Sequence, residues 1–284
     1  MLAKKCHLFI KNSKNNQIKL IMKYKLKKEN HDFWVERLKT NPERQVCTND
    51  VAFDDVEDNE ILKRLKDNSS ILEIGCGNGV LYSKISKKIK NFSYLGSDFV
   101  EDLVEVCKKK TSSKNHKFIQ QDMTDINKDS FDQKYDFIIS KRAIQNVLEQ
   151  KLQIQTIENL GHFLKEDGVM ILVESSADAQ NRLNLERKKY NLHEIIPPFH
   201  NLFFDDEKIK DHNFNNLKLM EISPFASDFY YITRLIYARY AKEFLNEKTS
   251  YDHPLEKIAI SMLNNTHTKK FSQIQTYLFK KNKP

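Results

Sequence analysis

The stretch "ILEIGCGNGV", residues 71–80, places three of the chain's six glycines within five positions, directly behind an apolar run. Glycine reaches backbone conformations closed to other residues and leaves room for a ligand against the main chain. The preceding "SSILEIGC" has the length and apolar density of a short buried strand, and "VLYSKISKKIK" behind it has helical spacing. A glycine-rich turn between a first strand and a helix is a place where an α/β sheet binds a ligand.

Working outward, the alternation repeats. "FSYLGSD" predicts a strand and "VEDLVEVCKKK" a helix; "HKFIQQD" and "YDFIISK" predict two more strands. A long helix is expected over "LEQKLQIQTIENLGHFLKEDG", with Gly168 just past its end, followed by a fifth strand in "VMILVES". "NLKLMEISPF" is a candidate sixth strand. "FSQIQTYLFKK" alternates Ile274, Thr276 and Leu278 against Gln273, Gln275 and Tyr277, as a late strand pairing antiparallel at or near the sheet edge does. Helices are expected over "HDFWVERLKT", "NEILKRLKD", "YYITRLIYARYAKEFL" and "PLEKIAISML", and a helix–loop–helix passage over "RLNLERKKYNLHEIIPPFHNLFFDDEKI". Strand–helix alternation at this spacing predicts an α/β fold with a doubly wound, mostly parallel sheet, helices on both faces and right-handed crossovers.

Two ligand classes use such a turn. Dinucleotide enzymes place a pyrophosphate at the helix N-terminus and need a third small residue where this chain has Val80. Here an acid, Glu73, stands two residues before Gly75, which suits a ligand with a cationic end better than a pyrophosphate.

"LEIGCGNG" resembles the first motif of the class I, Rossmann-like S-adenosylmethionine-dependent methyltransferases, E/D-x-G-x-G-x-G. The resemblance implies a seven-stranded sheet, S-adenosyl-L-methionine as cofactor, and methyl transfer. It also implies an acid at the end of the second strand for the ribose hydroxyls. Asp98 of "YLGSD" stands there, 19 residues after Gly79, with Phe99 next to it. Asp122 of "FIQQDMTD" would meet the adenine, with Met123 packed on the ring, and Ser140 at the end of "YDFIIS" would close over the methionine part. Glu73, Gly75, Cys76, Gly77 and Gly79 complete the expected cofactor set. The motif match covers about residues 70–175.

Nothing after the fourth strand matches the D/N-P-P-Y/F of enzymes acting on planar nitrogens, nor a Pro-Cys nucleophile; the chain reads "SKRAIQN". The net charge of +8 is carried by a tail: residues 1–28 hold nine lysines and no acid, leaving the rest one charge below neutral. A folded part without net positive charge argues against a nucleic-acid substrate. The tail reads as a disordered extension, or as a docking arm for RNA or protein, and Met22 is an alternative start. Cys6, Cys47, Cys76 and Cys107 lack metal-ligand spacing, so no metal is expected, and a reducing cytoplasm is the expected compartment. No apolar run is long enough to span a membrane.

These readings give a tail over 1–28 and a single methyltransferase domain over 29–284. Its cofactor half covers about 66–176, and its substrate-pocket and lid segments cover about 30–65 and 177–270. The order "RAIQNV…HFLKEDG…ILVES…PPFHNLFFDDEKI…FYYITR" resembles that of small-molecule methyltransferases of surface-polysaccharide and tailoring pathways, and this looser resemblance implies a small-molecule acceptor, with a sugar or nucleotide-sugar hydroxyl as first choice. A macromolecular acceptor and a non-catalytic, cofactor-binding role are the alternatives. His200 of "PPFHNLFFDDEKI" is the candidate general base and Asn201 a polar clamp. Arg142 is the candidate partner for an anionic acceptor, and Tyr230 of "SDFYYITR" lines the expected pocket. The oligomeric state is left open.

Overall fold

A computed structural model describes residues 25–263 and 271–282. Most of the basic tail, Met22 included, lies outside the described residues. Seven strands form one sheet in the order β3-β2-β1-β4-β5-β7-β6. They are β1 Ser70–Ile74, β2 Ser93–Asp98, β3 His116–Gln120, β4 Tyr135–Lys141, β5 Leu164–Ser175, β6 Leu217–Pro224 and β7 Ile274–Lys281. The first five are parallel; β7 runs antiparallel between β5 and β6, one strand in from the edge. Strand order reverses beside β1, so the C-terminal ends of β1 and β4 diverge into a crevice.

Each central strand is apolar on both faces, as a sheet covered on both sides requires. Ile71, Phe137, Ile139, Ile171 and Val173 face one core, which also takes Phe53, Leu81, Ile85 and Phe229. Leu72, Ile74, Ile138, Met170, Leu172, Tyr277 and Phe279 face the other, with Ile157, Leu160 and Ile209. The helices packed on these cores are α2 Val51–Leu62, α3 Val80–Lys88, α4 Glu101–Lys108, α5 Gln150–Leu160, α6 Ala177–Lys189, α7 Asp206–Asp211, a helical run α8 over 227–245 and α9 Pro254–Ser261. A helix α1 over 25–40 packs Trp34, Val35 and Leu38 on Val46, Val100 and Leu103. Its first turn therefore includes residues 25–28, which the charge pattern groups with the tail.

Two elements differ from the sequence expectation. The long helix predicted over 148–168 stops at Leu160, passes through one 3-10 turn and becomes strand at Leu164. Leu164 pairs with Tyr135, and pairing resumes only at Val169 opposite Phe137, so residues 165–168 bulge outward. The helix expected around "NEILKRLKD" begins instead at Val51, capped by the Asp50 carboxylate, which accepts from Phe53 N–H at 3.0 Å. Carboxylates are seldom buried unless paired, yet Asp54, Glu57 and Asp58 of this helix are buried. Cations from elsewhere in the chain make that burial tolerable.

Candidate active site

The turn after β1 is built on glycine for stated reasons. Gly75, Gly77 and Gly79 all have positive φ, +70°, +54° and +76°. Ala143 packs where a side chain on Gly75 would be, and a Cβ on Gly77 would lie 2.6 Å from the Cys47 sulfur. The backbone N–H groups of Gly75 and Cys76 both donate to the Ser97 carbonyl, at 2.7 and 2.9 Å, tying the turn to β2. Asp98, at the end of β2, accepts from the N–H of Gly77 at 2.8 Å and of Val100 at 2.9 Å. Burial pushes its pKa up, partly offset by these backbone donors.

Beside this turn lies a cavity of about 800 Å³. Its lining includes Gly75, Gly77, Asp98, Phe99, Asp122 and Met123, the apolar side chains of Leu26, Trp34, Val147, Leu148 and Leu152, and the polar Lys27, Asn30, Lys141, Arg142 and Asn146. That size and lining suit one metabolite-sized ligand or two small ones. Four α1 residues, Leu26, Lys27, Asn30 and Trp34, line the cavity as part of a cover. Trp34 Nε1 donates to Asn146 Oδ1 and Asn30 Nδ2 to the Asn146 carbonyl, both at 3.1 Å. Lys27, on the same helix, forms an ion pair with Asp122 and sits over the Phe99 ring. Burial alone would raise the Asp122 pKa; hydrogen bonds from Lys27 and Thr124 hold it below the usual range.

Lys141 and Arg142 enter the cavity from the end of β4, and both are already paired. Lys141 Nζ lies 2.6 Å from Asp54 Oδ1 and 2.6 Å from Asp58 Oδ1. Arg142 lies 3.0 Å from Glu57 Oε2 and 3.3 Å from Asp54 Oδ1. Arg142 is a non-glycine residue in the left-handed region, φ +52°, a strained conformation of the kind that collects at functional sites. Asp54, Asp55 and Asp58 form a tight acidic group, and Lys84 pairs with Asp55 and Asp58 as Lys141 does with Asp54 and Asp58.

The structure thus brings Gly75, Gly77, Asp98, Phe99, Asp122, Met123 and Arg142 onto one cavity. Several other expected site residues lie behind it or elsewhere. Glu73 is buried and turned away, accepting the Tyr94 hydroxyl, because its strand position points it into the core beneath the turn. Cys76 is in the core, and Gly79 caps α3 against Cys107. Ser140 has no exposure and donates to Glu174 at 2.7 Å. His200 stacks on Phe33 with centroids 4.3 Å apart, outside the cavity lining, and burial lowers its pKa to about 4, with Arg37 adding to the effect. Asn201 follows it outside the lining, and Tyr230 packs edge-on against Phe53 in the core. Missing from the sequence reading were Lys27, Asn30, Asn146 and the buried acids of α2. Trp34, the chain's only tryptophan, carried a signal that went unused as a site residue.

With this geometry in place, comparison with known proteins defines the class. Residues 65–226, more than half of the chain, match the family described as "Methyltransferase domain". The chain belongs to this family, as a class I, Rossmann-like S-adenosylmethionine-dependent methyltransferase domain, and S-adenosylmethionine is its cofactor. Among curated relatives, a malonyl-[acyl-carrier protein] O-methyltransferase of Bacillus anthracis is 33% identical over 111 residues, covering 38% of this chain and 39% of that protein. A second such enzyme, of Ilyobacter polytropus, is 35% identical over 103 residues, covering 36% and 38%. The matches thus span under two fifths of these relatives' length. Magnesium protoporphyrin IX methyltransferase of Synechocystis PCC 6803 superposes with a TM-score of 0.53 at 13% identity, over 93% of this chain and 100% of that one. A phosphoethanolamine N-methyltransferase of Haemonchus contortus gives a TM-score of 0.57 at 16% identity, over 91% and 49%. At such identity these two establish the shared fold. Among the described residues no helix is long and apolar enough to cross a membrane.

Proposed function

We propose that the chain methylates an oxygen of a small acceptor whose body is apolar and whose nucleophile is already ionised, a carboxylate. The cofactor supplies an electrophilic methyl group on a sulfonium. The residues fit that ligand: the positive-φ Gly75 and Gly77 leave the backbone open to the cavity, Asp98 and Asp122 offer acceptors for hydroxyls and an amino group, and Phe99 and Met123 offer apolar surface. In this reading Asp98 binds the ribose and Asp122 and Met123 the adenine, while Glu73, Cys76, Gly79 and Ser140 support the turn from behind.

The observation carrying the acceptor class is that Lys141 and Arg142 are already paired with Asp54, Glu57 and Asp58, while Leu26, Trp34, Val147, Leu148 and Leu152 give the lining its apolar surface. A nucleotide-sugar diphosphate, charged on each phosphate, would find Lys27, Lys141 and Arg142 of the described lining already paired, whereas a carboxylate brings a single charge that the cofactor's sulfonium offsets. The sequence-based preference for such an acceptor gains no support here. His200, the candidate base, stacks on Phe33 and is not part of the cavity lining, so a nucleophile that needs no deprotonation is favoured. The chain's own contribution is to hold nucleophile and methyl in line within a space closed off by α1. The partial match to O-methyltransferases agrees with an oxygen acceptor.

The test is S-adenosylhomocysteine release from the purified protein across a panel of apolar carboxylates, malonyl thioesters, sugars and nucleotide sugars. Turnover of carboxylates is expected; turnover confined to nucleotide sugars would overturn the acceptor reading.

A further inference from the structure

Glu174, at the C-terminal end of β5, has no exposed surface and does not line the cavity. Its Oε1 accepts from the Ser140 hydroxyl at 2.7 Å, from Ile144 N–H at 3.0 Å and from Ala143 N–H at 3.2 Å. Its Oε2 accepts from Gln145 N–H at 3.2 Å. Three successive backbone N–H groups therefore converge on one carboxylate, the arrangement a chain uses to hold an anion in a backbone concavity. A buried carboxylate is costly unless every oxygen is satisfied. Burial pushes this one up to about 7, against the pull of these four donors.

What the carboxylate organises is the turn over 142–146, and that turn is cavity wall. Arg142, Ala143 and Asn146 line the cavity. Ala143 sits against Gly75, in the space a side chain there would fill. Asn146 receives Trp34 and Asn30 from the covering helix, and its own Nδ2 donates to the Arg142 carbonyl at 2.8 Å. Opposite, Gln145 Oε1 accepts from Ser175 N–H at 3.0 Å, locking the turn to the strand end that carries Glu174. One buried group thus stands behind both the glycine turn and the anchor of α1.

We propose that Glu174 is a positioning residue for cofactor binding: it sets the 142–146 turn, and through Ala143 on Gly75 and Asn146 on α1 it fixes the shape of the cofactor end of the cavity. The inference rests on the S-adenosylmethionine reading above. A neutral amide at 174 must aim its NH2 at one of the N–H donors, so glutamine cannot replace the carboxylate here.

The test uses the full chain, titrating S-adenosylhomocysteine calorimetrically and melting each variant by circular dichroism. Glu60→Gln is the control for stability alone. Glu60 is likewise buried but pairs with Arg64 and Thr276 away from the cavity. Glu174→Gln should weaken binding at least about tenfold at a temperature where it is fully folded, while Glu60→Gln lowers the melting temperature and leaves Kd within about twofold. Should Glu174→Gln fail to fold, Glu174→Asp and Ser140→Ala carry the test, each raising Kd by about three- to tenfold. An unchanged Kd in every folded Glu174 and Ser140 variant would overturn the positioning role. No binding by the wild-type chain would overturn the cofactor reading itself, and this inference with it.

Discussion

The carboxylate of Asp98 accepts the backbone N–H of Gly77 at 2.8 Å, so the acid at the end of β2 and the glycine turn after β1 form one unit. A single side chain both shapes the turn and faces the cavity. Replacing it should therefore cost stability and affinity together.

Asp98→Ala should remove two charge-assisted acceptors, each of about 1.5–3 kcal/mol, from a bound ribose. Affinity for S-adenosylhomocysteine falls by about 10²–10⁴-fold, read by calorimetry. The Gly77 N–H left unsatisfied costs about 1–3 kcal/mol of stability, read by denaturant titration. Retained affinity would show that the ribose lies elsewhere.

At Gly77 the expected effect is steric. Gly77→Ala meets the Cys47 sulfur at 2.6 Å and holds an L-residue at φ +54°, a conformation costing about 1–2 kcal/mol. Adding Cys47→Ala relieves the clash and leaves the strain, so a double-mutant cycle should show a favourable coupling of about 0.5–3 kcal/mol. Strict additivity would mean that the two do not touch.

Glu73 gives a pH signature. Burial pushes its pKa up to about 8, although the Tyr94 hydroxyl and Lys141 pull the other way and Asp58 and Asp98 add to the rise. An acid whose folded pKa exceeds its unfolded value near 4.3 contributes stability that is complete below that value and lost as pH climbs through 8. Glu73→Gln keeps an acceptor for Tyr94 and removes the titration. It should match wild type at pH 5 to within about 1 kcal/mol and exceed it at pH 9 by on the order of 1–3 kcal/mol. Thermal melts across that range decide it; parallel pH curves for the two proteins would refute the account.

His200 separates a base from a packing residue. Its ring stacks on Phe33 and borders Trp34, and it is neutral at physiological pH. His200→Ala should lose about 1–3 kcal/mol of stability through the cavity left against α1, with affinity for S-adenosylhomocysteine within about threefold of wild type. A collapse of turnover in a stable, cofactor-binding His200→Ala protein would restore the base.

Local pattern alone determined the seven strands, the glycine turn after β1 and the acids at the end of β2 and after β3. Those signals depend on residues adjacent in sequence: apolar runs of strand length, glycines where φ turns positive, and a polar residue at each strand end. Glu73, Ser140 and Glu174 show what pattern cannot reach. All three are polar residues at strand ends, and only strand orientation decides that they support the turns from inside while Asp98 and Asp122 face the cavity. The acid-rich α2 is the same lesson in charge. Asp54 and Asp58 can be buried because Lys141, more than eighty residues on, is folded against them. The cover formed by α1 and its anchor on Asn146 joins residues 112 apart along the chain, Trp34 and Asn146. Tertiary structure decided these because burial and pairing are properties of what meets in space, and one sequence carries no direct record of such meetings.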